Sequence, residues 1–155
     1  MTSEQKQEGW VVVRGHAGGL TQQIDAGIHR IVSDEPAAAG GAEKGPTPYD
    51  LLLAALGACT SMTLALYAGR KQWPLEGVTV RLRHSRVHAE DCATCESAAP
   101  ARLTLIEREI ELGGALDKDQ RKRLLEIAER CPVHQTLTTQ ITIKTREHGR
   151  PAEVG

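Results

Sequence analysis

The hydrophobic positions near the N-terminus follow the short spacing that is typical of β-strands. Residues 10–13, 20–25 and 28–32 are short runs that contain several β-branched side chains. The second and third runs flank Ala26-Gly27, a pair of residues that suits the turn of a β-hairpin. We therefore expect three strands in this part of the chain, followed by an Ala-, Gly- and Pro-rich loop over residues 36–48.

The pattern changes abruptly at residue 49, where Leu, Ala and Met begin to dominate. Between residues 49 and 70 the apolar side chains surround the axis of the predicted helix almost completely. A helix that is hydrophobic all round belongs in the interior of a fold. Its small residues, Gly57 among them, would let a neighbouring element approach closely. Cys59 lies near the midpoint of this central helix.

The second half of the chain predicts two more strands, a helix and a closing strand. Residues 78–87 and 103–112 form the two strands, which we expect to pair antiparallel across a polar loop. Asp117 is placed as an N-cap, and Gln120 three residues later completes a capping box. Leu124, Ala128 and Cys131 then follow at helical spacing, which puts Cys131 on the apolar stripe of the second helix. Residues 137–145 alternate like a last strand.

The predicted order of elements is β-β-β-α-β-β-α-β. Strands and helices do not alternate regularly, so the fold class is α+β and not a doubly wound parallel sheet. The chain has 155 residues and no Pro/Gly-rich linker between two cores. We expect one domain over residues 9–146, with flexible termini at 1–8 and 147–155.

Composition excludes several classes of protein. The 19 basic and 20 acidic residues give a net charge of −1, so no basic excess indicates a nucleic-acid partner. The first eight residues lack the apolar core of a signal peptide, and the expected location is the cytoplasm with no membrane partner. Four cysteines in a cytoplasmic chain of this size favour thiol chemistry over structural disulfides.

Cys59 and Cys131 are the candidate reactive pair. Both fall on apolar faces of predicted helices, and packing of these helices would bring the thiols within bonding reach. Two buried structural cysteines are the alternative. A thiolate that attacks a peroxide becomes a sulfenic acid, which a second cysteine traps as a disulfide. An apolar pocket for an organic substrate could be lined by four side chains of the central helix, Leu52, Leu56, Met62 and Leu66.

The position of Cys131 leaves two interpretations open. If Cys131 ends the second helix, the helix dipole opposes a thiolate there. If it caps a following helix, the dipole favours the thiolate, and Pro132 is well suited to the first position of such a helix. The sequence does not decide between these.

Two segments resemble the cysteine motifs of the OsmC/Ohr family. Residues 45–60, GPTPYDLLLAALGACT, resemble the first, and residues 131–137, CPVHQTL, resemble the second. The similarity extends over residues 10–145. The resemblance implies an intertwined homodimer with two long central helices and the sheets outside. It also implies that Cys59 attacks an organic hydroperoxide or hydrogen peroxide and that Cys131 resolves the product, with a dithiol such as a lipoyl group as the reductant in some members. We expect no cofactor.

The chain departs from the best-understood members of that family in its activating groups. They carry a Glu ten residues before the first cysteine, paired with an Arg, whereas this chain has Tyr49 there and Asp50 as the nearest acid. On a regular helix Asp50 faces away from Cys59, so a partnership needs a later helix start or a contribution across the dimer. Asp50 would otherwise cap the helix.

Arg30 is the first candidate for the activating cation and Arg14 is the second. These departures resemble a remote subgroup similar to OsmC domains that are appended to α/β hydrolases.

A second cysteine pair, Cys92 and Cys95, forms a CxxC motif in the polar loop. With His88 it could be a zinc half-site, or it could be a dithiol that passes electrons to a Cys59–Cys131 disulfide, or neither. One half-site is a weak signal, and we expect no metal. Two other functions remain open for the whole chain, a module that binds a hydrophobic ligand and a redox sensor with little turnover.

Overall fold

The computed structural model describes residues 9–88 and 102–149. The elements in these residues are β1 (Val11–Gly15), β2 (Gln22–Ala26), β3 (His29–Ser33), α1 (Pro48–Lys71), β4 (Gly77–His88), β5 (Arg102–Gly113), α2 (Lys118–Ala128) and α3 (Pro132–Thr138). The fold is α+β, with antiparallel sheets and one long helix, as the sequence predicts. The chain divides into two compact units, Met1–Ala58 with Val80–Ile110 and Cys59–Thr79 with Glu111–Gly155. The single domain over residues 9–146 stays a prediction.

The first unit contains an antiparallel sheet in the order β1-β2-β3. Ala26 pairs with His29 across a two-residue turn, and Gly27 adopts a φ of 62° there, which glycine reaches without steric cost. The predicted hairpin is therefore confirmed. Val13, Ile24 and Ile31 lie opposite one another across the three strands and form an apolar row.

Asp34 organises the loop between β3 and α1. Its buried carboxylate accepts hydrogen bonds from the Thr21 hydroxyl at 2.8 Å and from the backbone N–H of Glu35 at 2.8 Å. It also accepts from the backbone N–H groups of Ala42 and Lys44, both at 3.3 Å. One side chain thus binds backbone N–H groups from both ends of the loop and ties the two ends together.

These contacts determine the ionisation of Asp34. Burial acts to raise the pKa of the carboxyl group, but the hydrogen bonds outweigh burial and the net pKa lies below the ordinary value. The same loop is closed by Ser33, whose hydroxyl donates to the Pro46 carbonyl at 2.8 Å, and by the N–H of Asp34, which donates to that carbonyl at 3.1 Å. The loop therefore delivers the chain to α1 in a defined position.

Helix α1 packs closely against β4 within the first unit. Gly57 is buried, and a Cβ atom on it would lie 2.8 Å from Cδ1 of Leu82. This close approach confirms the expectation that small residues on the helix admit a neighbouring element. Across the sheet that β4 forms with β5, the Arg83 guanidinium contacts Glu107 with an Nη2–Oε1 distance of 2.9 Å.

The core of the second unit is built around Leu64 of α1 and Leu124 of α2, both with no exposed surface. Helix α2 begins with the predicted capping box, in which the Asp117 carboxylate accepts from the N–H of Gln120 and the Gln120 side chain accepts from the N–H of Asp117. Arg121 fastens the preceding turn by donating to three backbone carbonyls, those of Leu112, Gly114 and Leu116.

Two predictions about the end of the chain need correction. Cys131 does not lie on the stripe of α2, because α2 ends at Ala128 and Cys131 is the N-cap of α3. Residues 137–145 do not form a strand in the described part of the chain: Leu137 and Thr138 belong to α3, and the rest is irregular. Alternation alone cannot make a strand, because a strand also needs a partner to satisfy its backbone groups.

Among the described residues, α1 alone is long and apolar enough to cross a membrane. Such a helix is only weak evidence for a membrane span, because the core helix of a soluble protein can have the same length and composition.

We predict that Asp34→Asn destabilises the protein at neutral pH and reduces its sensitivity to acid. The folded state lowers the pKa of Asp34, so the stabilisation is complete above the unfolded value of about 4 and is lost as pH falls through the folded value. The melting temperatures of the two proteins should therefore converge as pH falls below about 4. Thermal denaturation between neutral and acidic pH measures this.

Asp119→Asn is the matched control, because Asp119 is an exposed aspartate in the first turn of α2. It should lower the melting temperature far less than Asp34→Asn. A gap between wild type and Asp34→Asn that stays constant with pH would contradict the role of the ionised carboxylate.

Candidate functional site

The two candidate cysteines lie in the second unit, where Cys131 contacts the helix that carries Cys59. Cys59 is on α1, Cys131 directly precedes α3, and both are free thiols. Thr60, the residue that follows Cys59, has its Oγ1 atom 3.7 Å from the sulfur of Cys131. The structure therefore brings Cys131 against the stretch of α1 that carries Cys59, although 131 − 59 = 72 positions separate them in the sequence.

Cys131 caps α3 with its side chain. Its sulfur accepts a hydrogen bond from the N–H of His134 at 3.3 Å, which is the usual partner of an N-cap side chain. Pro132 occupies the first helical position, where its missing N–H costs nothing. Of the two interpretations that the sequence leaves open, the structure supports the one in which Cys131 begins a helix.

Burial distinguishes the two thiols. Cys131 has 0% exposed surface, whereas Cys59 is partly exposed. Met62 and Leu66 follow Cys59 by three and seven positions on the same side of α1, and they are 65% and 62% exposed. Cys59 thus lies at the edge of an accessible apolar surface, and a molecule from solution reaches Cys59 before Cys131.

Asp50 caps α1. Its carboxylate accepts from the N–H of Thr47 at 2.9 Å, and its own N–H donates to the Thr47 hydroxyl at 3.1 Å. The hydrogen bond from the Thr47 backbone is the main cause that holds the pKa of Asp50 below its ordinary value. The capping interpretation of Asp50 therefore describes its contacts.

Tyr49 stands where the family resemblance expects an acid, and it stacks on His84. The two rings are parallel within 8°, with centroids 4.1 Å apart. The charge of His84 also contributes to lowering the pKa of Asp50. The sequence does not indicate this contact, because only the packing of β4 on the start of α1 brings the two rings together.

Arg30 and Arg14 belong to the first unit and share one partner there. The Nε atom of Arg30 lies 3.0 Å from the Asp25 carboxylate, and Arg14 also pairs with that carboxylate. Hydrogen bonds from Arg30 and then from Arg14 hold the pKa of Asp25 below its ordinary value. The arginine side chains are 67% and 57% exposed, so this is a solvated cross-strand cluster.

Thr60 and His134 are two residues that the sequence analysis missed. For His134 a signal was available, since an N-cap at Cys131 with Pro132 next makes the N–H of residue 134 the expected donor. The His134 ring also lies 3.2 Å from the Glu129 carboxylate. For Thr60 no local signal exists, because its contact with Cys131 arises from the packing of distant segments.

The second cysteine pair, Cys92 and Cys95, lies outside the described residues, and so does the side chain of His88. Among the residues that are described, no group of three or more His, Cys, Asp or Glu side chains is placed to hold a metal ion.

Comparison with known proteins supports the resemblance. A family model described as OsmC-like protein matches residues 40–146, which is more than half of the 155-residue chain. A search of curated protein sequences gives no match.

Several solved structures share the fold. An OsmC-like protein from Mycoplasma pneumoniae is 21% identical with a TM-score of 0.66, and the alignment covers 85% of this chain and 88% of that one. An organic hydroperoxide resistance protein OsmC from Legionella pneumophila is 20% identical with a TM-score of 0.59, covering 86% and 92%. The organic hydroperoxide resistance protein OhrB of Bacillus subtilis is 21% identical with a TM-score of 0.57, covering 83% and 89%.

The two motifs with their cysteines, the α+β fold and the match of the family model lead to one conclusion. This chain belongs to the OsmC-like protein family.

Proposed function

We propose that this protein is a thiol-dependent peroxidase that reduces organic hydroperoxides. The Cys59 thiolate attacks the terminal oxygen of the hydroperoxide, the O–O bond breaks, and the alcohol leaves after taking up a proton. Cys59 becomes a sulfenic acid, which Cys131 attacks to form a disulfide and release water. A dithiol then reduces the disulfide and is itself oxidised.

One observation carries this proposal. A partly exposed cysteine on an apolar helix is followed by Thr60, whose hydroxyl contacts the sulfur of a second, fully buried cysteine. An attacking thiol needs access to substrate, while a resolving thiol needs access only to the first sulfur. The burial of the two thiols fits these different roles.

The surface around Cys59 favours an organic substrate over hydrogen peroxide. Met62 and Leu66 are exposed beside it, and an alkyl group that covers them gains the free energy of apolar burial. Hydrogen peroxide has no apolar part and gains nothing from this surface. The names of the Legionella pneumophila and Bacillus subtilis proteins, which refer to organic hydroperoxide resistance, support the same substrate class.

The reductant is proposed to be a flexible dithiol such as a lipoyl group. In the disulfide form the sulfur of Cys59 is the accessible one, because Cys131 is buried. An external thiolate therefore attacks Cys59 and releases Cys131, after which the second thiol of the same molecule displaces Cys59. A dithiol completes this exchange without a second encounter.

The activating groups are a further part of the proposal. A thiolate in the middle of a helix needs a nearby cation, and Arg30 remains the proposed one. Asp50 is proposed to assist across the dimer, because α1 begins at Pro48 and Asp50 faces away from Cys59 of its own chain. In the structure Arg30 is held by Asp25, and Asp50 is engaged with Thr47. Activation therefore requires Arg30 to leave Asp25. Because this ion pair is exposed to solvent, breaking it costs little free energy.

We also propose a cytoplasmic homodimer. Val11, Val13 and Ile31 leave the apolar face of the β1-β2-β3 sheet exposed, at 60%, 55% and 40%. Ile141 and Ile143, in the segment that alternates like a strand, are also exposed, at 54% and 84%. A second copy of the chain would cover the apolar face and give this segment a strand partner.

We predict that the purified protein consumes an alkyl hydroperoxide continuously in the presence of dihydrolipoamide. Cys59→Ser should reduce the rate to that of the reductant alone, because the attacking sulfur is gone. Without reductant, Cys131→Ser should consume one equivalent of hydroperoxide and leave a sulfenic acid that dimedone labels, whereas wild type should form a disulfide that dimedone does not label. Loss of hydroperoxide is followed directly, and the Cys92→Ser/Cys95→Ser double variant is the control for the remaining thiols.

Two outcomes would contradict the peroxidase. Equal rates in wild type and Cys59→Ser would remove Cys59 from the reaction. A single oxidation of wild type without steady-state turnover would instead indicate a redox sensor.

We predict that Arg30→Ala slows the reaction of Cys59 with the hydroperoxide, whereas Arg14→Ala does not. Both substitutions remove one of the two ion pairs to Asp25, so any effect on the sheet is matched. Only an arginine that stabilises the thiolate should change the rate of the first oxidation, which single-turnover kinetics measure. Equal effects of the two substitutions would argue against Arg30 as the activating cation.

We predict a molar mass of two chains, each of 16.8 kDa, in light scattering. Val13→Lys should shift the protein towards the monomer, because it places a charge on the apolar face of the sheet. Gln23→Lys adds the same charge in the same sheet on the opposite face, and it should leave the dimer intact. A monomeric wild type would refute the homodimer.

A further inference from the structure

Thr60 directs its hydroxyl at one of the two sulfurs that the proposed reaction joins. Its side chain has 0% exposed surface, and its Oγ1 atom lies 3.7 Å from the sulfur of Cys131. Thr60 is also the immediate neighbour of Cys59 along α1.

The sulfur of Cys131 is shielded from water and depends on protein groups for its hydrogen bonds. Among the described residues, its partners include the Thr60 hydroxyl and the backbone N–H of His134, at 3.7 and 3.3 Å. A buried thiolate without donors is strongly disfavoured, so these two groups are what can stabilise the negative sulfur. Of the two, the contribution of Thr60 is the one that a side-chain substitution removes.

The Thr60 hydroxyl can form a hydrogen bond with the Cys131 sulfur in both of its protonation states, thiol and thiolate. In the thiol form the S–H group can donate to Oγ1, and in the thiolate form the hydroxyl can rotate to donate to the sulfur. Only the O–H bond has to turn for this change, so the Oγ1 atom can keep its position beside the sulfur when the sulfur loses its proton. The contact therefore orients the sulfur throughout the reaction.

We propose that Thr60 is the positioning residue for disulfide formation, and that its hydroxyl holds the Cys131 sulfur in place to attack Cys59. This inference rests on the proposed function, which assigns Cys131 as the resolving thiol. In the step itself the Cys131 thiolate supplies an electron pair to the sulfur of the Cys59 sulfenic acid. The S–S bond forms, the S–O bond breaks, and hydroxide leaves and takes up the proton that Cys131 lost earlier.

The same attack can be measured without a peroxide. In protein that carries Cys92→Ser and Cys95→Ser, one equivalent of 5,5′-dithiobis(2-nitrobenzoate) reacts with the accessible Cys59. This forms a mixed disulfide and releases one thionitrobenzoate. Cys131 then attacks the Cys59 sulfur and releases the second thionitrobenzoate, so the second phase of absorbance reports the resolving step alone. Cys131→Ser should abolish the second phase.

Thr60→Val should slow the second phase about tenfold, because it removes a hydrogen bond to a charged group and keeps the shape of the side chain. The first phase should change by less than about twofold. Thr60→Ser keeps the hydroxyl and should restore the second phase. Thr63→Val is the matched control, since the Thr63 hydroxyl donates to the Cys59 carbonyl at 2.7 Å and not to a sulfur.

A second phase as fast in Thr60→Val as in wild type would overturn the inference. So would a second phase as slow in Thr60→Ser as in Thr60→Val, because packing of the methyl group would then explain the effect. If circular dichroism shows that Thr60→Val is unfolded, Thr60→Ala replaces it with the same expected result. If the second phase depends on Thr60 while no hydroperoxide is consumed, the inference holds and the peroxidase proposal fails.

Discussion

Helix α1 carries apolar side chains on every face, and the rest of the protein must keep water from most of them. Within the second unit, Leu64 of α1 is fully buried, and so is Leu124 of α2. On another side of the same helix Met62 and Leu66 remain exposed. Cys59 lies between the covered and the uncovered sides, and this position makes one sulfur accessible next to a surface that suits an organic molecule.

The covered side of α1 also explains how the second sulfur is held. Thr60 is a polar residue that is fully buried in the second unit, and a buried hydroxyl needs hydrogen-bonding partners. The Cys131 sulfur is one partner, and it is itself fixed as the N-cap of α3. The Cys131 sulfur therefore has two roles, because it caps α3 and is also a hydrogen-bonding partner of the buried Thr60 hydroxyl. Their combination places the Cys131 sulfur against the residue that follows Cys59, although the two segments are far apart in the sequence.

Three aspartates of the first unit have a pKa below the ordinary value, and their contacts help to hold the fold together. Asp25 is held by two arginines, Asp34 by backbone N–H groups and a hydroxyl, and Asp50 by Thr47. In each of them hydrogen bonds lower the pKa, and for Asp34 they do so against the effect of burial. Ion pairs and caps of this kind keep the sheet and the loop before α1 in place. The position that carries an acid in the best-understood relatives holds Tyr49, stacked on His84.

Features that depend on neighbouring residues could be read from the sequence. These include the hairpin at Gly27, the extent of α1, the capping box at Asp117 and the α+β class, because turn residues, helical periodicity and caps act over a few positions. The two cysteine motifs also indicated the family. The sequence could not show that Cys131 caps α3, since a Cys-Pro pair is compatible with the end of one helix and the start of another.

Tertiary structure decided the features that require distant segments to meet. Within the described chain, residues 137–145 have no strand partner. Packing also buries the Cys131 sulfur, leaves Cys59 partly exposed, and places Thr60 against Cys131. A residue's own side chain determines its local preferences, whereas burial and hydrogen-bonding partners depend on what the whole chain packs against it. The sequence by itself therefore determined the elements up to α2 and the two reactive residue types. Packing determined the end of the described chain, the accessibility of the two thiols and their contacts.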